Sequence, residues 1–208
     1  MAILNSHNRN CAPRGWFGRF SQAREHGRIS CLALAVGVTV FWLGLAARSQ
    51  SVSHEYPLKA VFLFNFAQFT EWPTNAFETP DSPLVIGVLG DDPFGALLDD
   101  AVRGEAVNGR KFVVEHYRRV QEIKSCHILF ISQSETRRLD AITDTLKGKP
   151  TLTVSDIDGS VYHNVSIWLI TENNRIRLKI NLDALKSANL MMNSKLLRMA
   201  EIVPDKNQ

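Results

Sequence analysis

Seven residues mark where this sequence could do chemistry: Asp91, Asp92, Phe94, Ser132, Glu135, Asp156 and Asp158. Asp91 and Asp92, with Phe94 just behind, close the apolar run LVIGVLG. Ser132 and Glu135 follow a second run, HILFIS, and Asp156 and Asp158 follow a third, TLTVS. If these runs are parallel strands, all seven gather at one sheet edge, because open α/β sheets bind ligands in the crevice at the carboxyl ends of their strands.

Each specific chemistry then fails on residue type or spacing. A phosphoacceptor site with an acidic pair after its first strand needs an aspartate ending the middle strand and a lysine ending a later one. Those places hold Ser132–Gln133 and Ser155–Asp156. A dinucleotide site wants GxGxxG after the first strand, whereas GVLGDDPFG puts two negative charges where a pyrophosphate needs free backbone amides. Neither a P-loop nor a GxSxG elbow is present. His54, His116, His127 and His163 fall in four different segments without HxH or HxxxH spacing, which argues against zinc. The segment DIDGS, with Asp156 and Asp158, has only a fragment of a calcium loop, and Asp and Gly form such turns for local reasons. The sequence therefore predicts no catalytic residue, cofactor or metal. For the seven residues two readings stay open. One is an edge that takes a ligand or partner. The other is local structure, with Asp92 capping a helix and Asp156 shaping a turn, roles worth about 1 kcal/mol each.

The elements that must position these residues follow from periodicity. In Glu55–Trp72, Leu58, Phe62, Phe66 and Phe69 recur at spacings of three and four, which predicts a helix with those aromatics on one face, widened by Val61, Phe64 and Ala67. Pro73 is expected to stop it. Leu84–Gly90 is near-continuously apolar, as a strand buried on both faces would be. Asp92–Pro93 is an N-cap and first-turn pair, opening a helix to about Arg103 that ends at Gly104. A strand over Lys111–Tyr117, a buried strand His127–Ser132, a helix from Ser134 to near Gly148 and a short strand Thr151–Ser155 follow. Val165–Ile170 and Arg175–Ile180, separated by the four residues Thr171–Asn174, predict an antiparallel hairpin. Its Arg175, Arg177 and Lys179 alternate with Ile176, Leu178 and Ile180, marking a wet face and a dry one. A helix begins around Asn181–Asp183, and Ser194–Ile202 continues it or forms a second. Alternating strands and helices predict an α/β fold: a three-layer Rossmann-like sandwich, mostly parallel, with the antiparallel C-terminal hairpin at one edge.

Charge and cysteine placement narrow the function classes. The chain has 208 residues and a formal net charge of +3, but six of its 24 basic residues and one of its 21 acidic ones lie in residues 1–49. The remainder holds 18 basic and 20 acidic groups, net −2, with no basic cluster of the kind nucleic-acid binding requires. Five arginines precede the uncharged 17-residue run Cys31–Ala47, and Ala47 and Ser49 sit two apart. That is the pattern of a secretory signal peptide, cleaved before Gln50; an uncleaved anchor is the alternative, since the run is long. Arginines before the run keep the N-terminus cytoplasmic and send the rest across. Residues 1–49 are thus read as leader and 50–208 as one exported domain, located in the periplasm. That domain keeps only Cys126, which cannot close an intramolecular disulfide; ahead of HILFI it reads as a buried, inert thiol.

Read in order, five blocks carry a family likeness. YPLKAVFLFNFAQFTEWP resembles the opening helix of the YfiR-like periplasmic family. PLVIGVLGDDPFG, CHILFIS with SETRRL behind it, and LTVSDIDG resemble its successive strand-and-turn blocks. IRLKINLDALKSANLMMNSKLLRMAEIV resembles its closing strand and helices, and the likeness runs from about Tyr56 to Val203. It implies a non-enzymatic repressor that docks on the periplasmic sensor domain of a membrane-bound diguanylate cyclase. Docking would hold the cyclase off, and release would raise cyclic di-GMP and promote biofilm. The resemblance also implies a homodimer, and an outer-membrane lipoprotein that can sequester the repressor. Better-known members carry disulfides, from which this chain departs with Cys126 alone. The same features fit a second class, a periplasmic module that binds a small ligand at the strand ends.

Overall fold

Short apolar runs flanked by turn residues become strands here, and the amphipathic or fully apolar segments between them become helices. The computed structural model describes residues 55–157 and 164–203. In chain order the elements are α1 (Glu55–Phe69), β1 (Thr70–Glu71), β2 (Leu84–Leu89), α2 (Ala96–Val102), β3 (Ala106–Val107), β4 (Arg110–Tyr117), β5 (Ile128–Ile131) and α3 (Leu139–Leu146). They continue as β6 (Leu152–Ser155), β7 (Ile167–Glu172), β8 (Arg175–Asn181), α4 (Leu182–Ser187), β9 (Met191–Met192), α5 (Ser194–Leu197) and β10 (Glu201–Val203). The leader read over residues 1–49 and the candidate Asp158 lie outside the described residues.

Eight strands form one sheet in the order β10-β8-β7-β6-β5-β2-β4-β3. Pairing is parallel from β4 through β7 and between β10 and β8, and antiparallel within the β7–β8 and β3–β4 hairpins. One face carries α1, α2 and α4 over Ile86, Val88, Phe130 and Val154; the other carries α3 over Leu89, Leu129, Ile131 and Trp168. This is the three-layer, Rossmann-like, mostly parallel α/β architecture. β2, β5 and β6 are buried along their whole length, as strands covered on both faces must be.

Several boundaries differ from the sequence reading, each for a tertiary reason. The opening helix stops at Phe69 rather than near Pro73, because Thr70 and Glu71 pair antiparallel with Met192 and Met191. Its buried face is also rotated: Lys59, Ala60, Leu63, Phe66 and Ala67 are covered, while Leu58 is 48% and Val61 44% exposed. The helix is apolar nearly all round, so periodicity could not choose the side. α2 begins at Ala96, not Pro93. The segment from Ser134 starts as a 3₁₀ turn over Gln133–Arg138 and becomes α-helical only at Leu139.

The hairpin loop is two residues, not four. Glu172 faces Arg175 in the ladder, and Asn173 and Asn174 both sit at positive φ, 51° and 58°, as a type I′ turn requires. Arg175 and Arg177 are exposed while Leu178 and Ile180 are buried, the expected alternation. The hairpin lies toward one end of the sheet, with the three-residue β10 added outside it; Ile202 belongs to that strand and not to a helix. Asn181 caps α4 by accepting from the backbone N–H of Asp183 (2.9 Å) and Ala184 (3.0 Å).

Candidate functional site

β2, β5 and β6 run parallel and in register, Leu89 beside Ile131 and Ile131 beside Ser155, so the residues that follow them emerge at one edge. Ser132 N–H continues the ladder to the Leu89 carbonyl at 3.0 Å, and Gly90 N–H bonds to the Tyr117 carbonyl at 3.0 Å. The chain then turns sharply at Gly90, where φ is +93° and a Cβ would lie 2.4 Å from Ser134 Oγ. Only glycine fits both demands. That close approach lets Asp91 N–H donate to Ser134 Oγ at 2.9 Å, tying the loops after β2 and β5 together.

The acidic pair divides its roles. Asp92 accepts from the N–H groups of Phe94 (2.8 Å) and Gly95 (3.1 Å), so it closes the turn that leads into α2 instead of occupying the cap position, which Gly95 holds. Its Oδ2 also lies 3.1 Å from Nε2 of the exposed His116. Asp91 is exposed. Phe94 turns inward and packs edge-on against Tyr56 (ring centroids 5.6 Å apart) and Phe130 (4.7 Å). Ser132 and Glu135 are both buried, the Glu135 carboxylate taking a 2.7 Å bond from Arg138.

Asp156 is the group whose surroundings the sequence disclosed least. Its side chain is 1% exposed, and Oδ2 accepts from Lys59 Nζ at 2.6 Å and from the Tyr56 hydroxyl at 3.1 Å. Oδ1 is buried with no hydrogen-bond partner among the described residues. The Lys59 ammonium, equally buried, also pairs with Glu55 one turn back and lies 4.8 Å from the Tyr56 ring centroid. Burial, and then the charge of Asp156, raise the Tyr56 hydroxyl above its ordinary pKa, so it stays a neutral donor. A buried charge needs a partner. Here the partners, Lys59 in the second turn of α1 and Asp156 in the loop after β6, are 97 residues apart in the chain.

The structure thus brings the six described candidates to one edge, but not into one cluster. Phe94 and Tyr56 link Asp92 to Asp156, and Ser134 with its neighbour Gln133, whose side-chain amide donates to the Asp156 carbonyl at 3.4 Å, links Asp91 to it; each carboxylate except that of Asp91 is engaged in the bonds above. Among the described residues no three His, Cys, Asp or Glu side chains converge as a metal would require. Lys59, Tyr56 and His116 were missed in the sequence. Lys59 left one signal: it is the only basic residue in a 15-residue, otherwise largely apolar helix, and a lone cation there must find a carboxylate if it is buried.

A model of the YfiR/HmsC-like family matches residues 56–201 of the chain. No curated protein matches it closely enough to count as a relative.

Proposed function

This chain belongs to the YfiR/HmsC-like family, and from that membership we propose that residues 50–208 form one periplasmic domain that represses a membrane-bound diguanylate cyclase. The family is one of periplasmic, non-catalytic regulators that act with a diguanylate cyclase. In the finer reading, the domain docks on the cyclase's periplasmic sensor domain and holds it off, which lowers cyclic di-GMP and biofilm formation. Residues 1–49 act as its export signal. A homodimer, and an outer-membrane lipoprotein that sequesters the repressor, belong to the same proposal.

The observation that carries the reading is the extent of the family match, from α1 to the first residue of β10. The site geometry supports docking over chemistry. Asp156 is neutralised by Lys59, Glu135 is held by Arg138 and Asp92 closes a turn, so among the described candidate carboxylates of this edge Asp91 alone is left for an outside partner. Among the described residues no helix is long and apolar enough to cross a membrane.

Deleting the gene in a cell that expresses the cognate cyclase should raise cyclic di-GMP, and the tagged protein should recover that cyclase from solubilised membranes. Unchanged cyclic di-GMP with the cyclase present would overturn the repressor role. N-terminal sequencing of the exported protein should begin near Gln50; full-length chain in the membrane fraction would establish the anchor instead.

A further inference from the structure

The opposite, N-terminal edge of the sheet holds a cavity of about 320 Å³, walled by β1 and the Trp72 that follows it, by Phe77, by the end of β3 and by the starts of β2 and β4. Small-molecule sites span roughly 300–1,000 Å³, so this one suits a compact ligand. Two residues of its lining each carry a buried polar atom without a hydrogen-bond partner among the described residues: the hydroxyl of Thr70, a residue only 3% exposed, and the indole N–H of Trp72. Buried donors left unmade cost folding free energy and are rare in native proteins. Two on one cavity wall are explained together by a ligand that accepts from both.

The charge on that wall has the matching sign. The guanidinium of Arg110 stacks over Phe77, 3.7 Å from the ring centroid, and Phe77 stacks on His127 at 4.3 Å. Arg110 Nη1 donates to the carbonyls of Thr79 (3.1 Å) and Ser82 (2.6 Å), and no carboxylate pairs with it among the described residues. It is a cation fixed in place by neutral groups, with donors left over. Leu84 and Val107, both buried, supply apolar wall. Glu71, the remaining charged residue of the lining, is exposed, and its charge disfavours a dianion.

We propose that this cavity binds a small monocarboxylic acid with an apolar body. The carboxylate accepts from Trp72, Thr70 and Arg110, and the body lies against Leu84 and Val107. Charge-assisted bonds from an arginine to a carboxylate are the strong ones, and a preset guanidinium loses little freedom on forming them. The inference does not rest on the repressor reading, and it places ligand binding at the edge opposite Asp91 and Asp156.

Benzoate serves as probe and benzamide as its uncharged counterpart. The protein is labelled with ¹⁵N-tryptophan, and the Trp72 indole resonance is identified by its loss in Trp72→Phe. Titration with benzoate should shift that resonance saturably at millimolar concentration or below and leave Trp168 unmoved, while benzamide should bind about tenfold more weakly or worse. Arg110→Gln should abolish the preference for the acid. Because Arg110 also braces the 79–82 loop, Thr70→Val is the second variant. It removes the unbonded hydroxyl without changing shape, so it should raise the melting temperature of the free protein and weaken benzoate. No saturable shift with benzoate, equal affinity for benzamide, or unchanged benzoate affinity in Thr70→Val would each overturn the assignment.

Discussion

Removing one member of the Lys59–Asp156 pair should destabilise the protein far more than removing both. Each side chain is 1% exposed and the charged atoms are 2.6 Å apart. Truncating one partner therefore leaves an uncompensated charge in a medium that solvates it poorly, at a cost of about 3–5 kcal/mol. The two single substitutions should differ. In Asp156→Asn the Lys59 ammonium keeps Glu55, whose side chain is 27% exposed, so the loss should fall near the lower end, about 3 kcal/mol. In Lys59→Met the Asp156 carboxylate keeps, among the described residues, the Tyr56 hydroxyl alone, and its Oδ1 already has no partner among them. That loss should approach about 5 kcal/mol. At about 2–4 °C per kcal/mol for a domain of this size, the melting temperature should drop by about 6–12 °C and about 10–20 °C respectively. In the double variant no charge is stranded, and the cost should fall to about 1–3 kcal/mol. Urea and thermal unfolding of the four proteins, followed by circular dichroism, measure this cycle. Single variants that each lose less than about 1 kcal/mol, or a double variant equal to the sum of the singles, would refute the reasoning.

Three further outcomes are expected. His127 is neutral and fully bonded, its Nδ1 accepting from Val85 N–H and its Nε2 donating to the Ala76 carbonyl, and burial lowers its pKa below the ordinary value. On acidification the unfolded chain takes up this proton first, near pH ~6.5. Stability should then fall below that pH by up to about 1.4 kcal/mol per unit until the folded pKa is reached. His127→Gln should show a shallower fall between pH 7.5 and 5.5 in urea midpoints, and equal slopes would count against it. Asp91→Asn should leave the melting temperature unchanged, because Asp92 holds the turn; if the edge docks a partner, affinity for the cyclase should drop, and equal affinity would leave the edge a structural role. Cys126 is buried, and burial pushes its thiol up to about 12. It should therefore react with thiol reagents only as fast as the protein opens, and reductant should not shift the melting temperature; a reductant-sensitive protein would point to an intermolecular disulfide.

Much of the fold was legible in the sequence because the features that encode it are local. LVIGVLG and the ILFI of HILFIS are near-continuously apolar between turn signals, as strands covered on both faces would be, and β2 and β5 are those strands; TLTVS, read as a short strand, is β6. Alternation in RIRLKI marked the wet and dry faces of β8. Strand ends carrying Asp91, Ser132 and Asp156 implied a shared edge once the strands were read as parallel, and their register places them there. One local signal was present and passed over: Asn108–Gly109, a strong hairpin pair, joins the unforeseen β3 to β4. Other features exist only between distant segments. Thr70 and Glu71 left the helix for a ladder with Met191 and Met192, since a pairing partner more than a hundred residues away outweighed helical propensity. The helix itself, apolar on nearly every side, carried no direction, so only the sheet beneath it decided that Leu63 is buried and Leu58 exposed. For the same reason Lys59 and Asp156 could be read separately as a lone cation and a turn acid, but not as a pair. A burial cost arises only when a particular packing removes both from water, and that packing belongs to the tertiary structure alone.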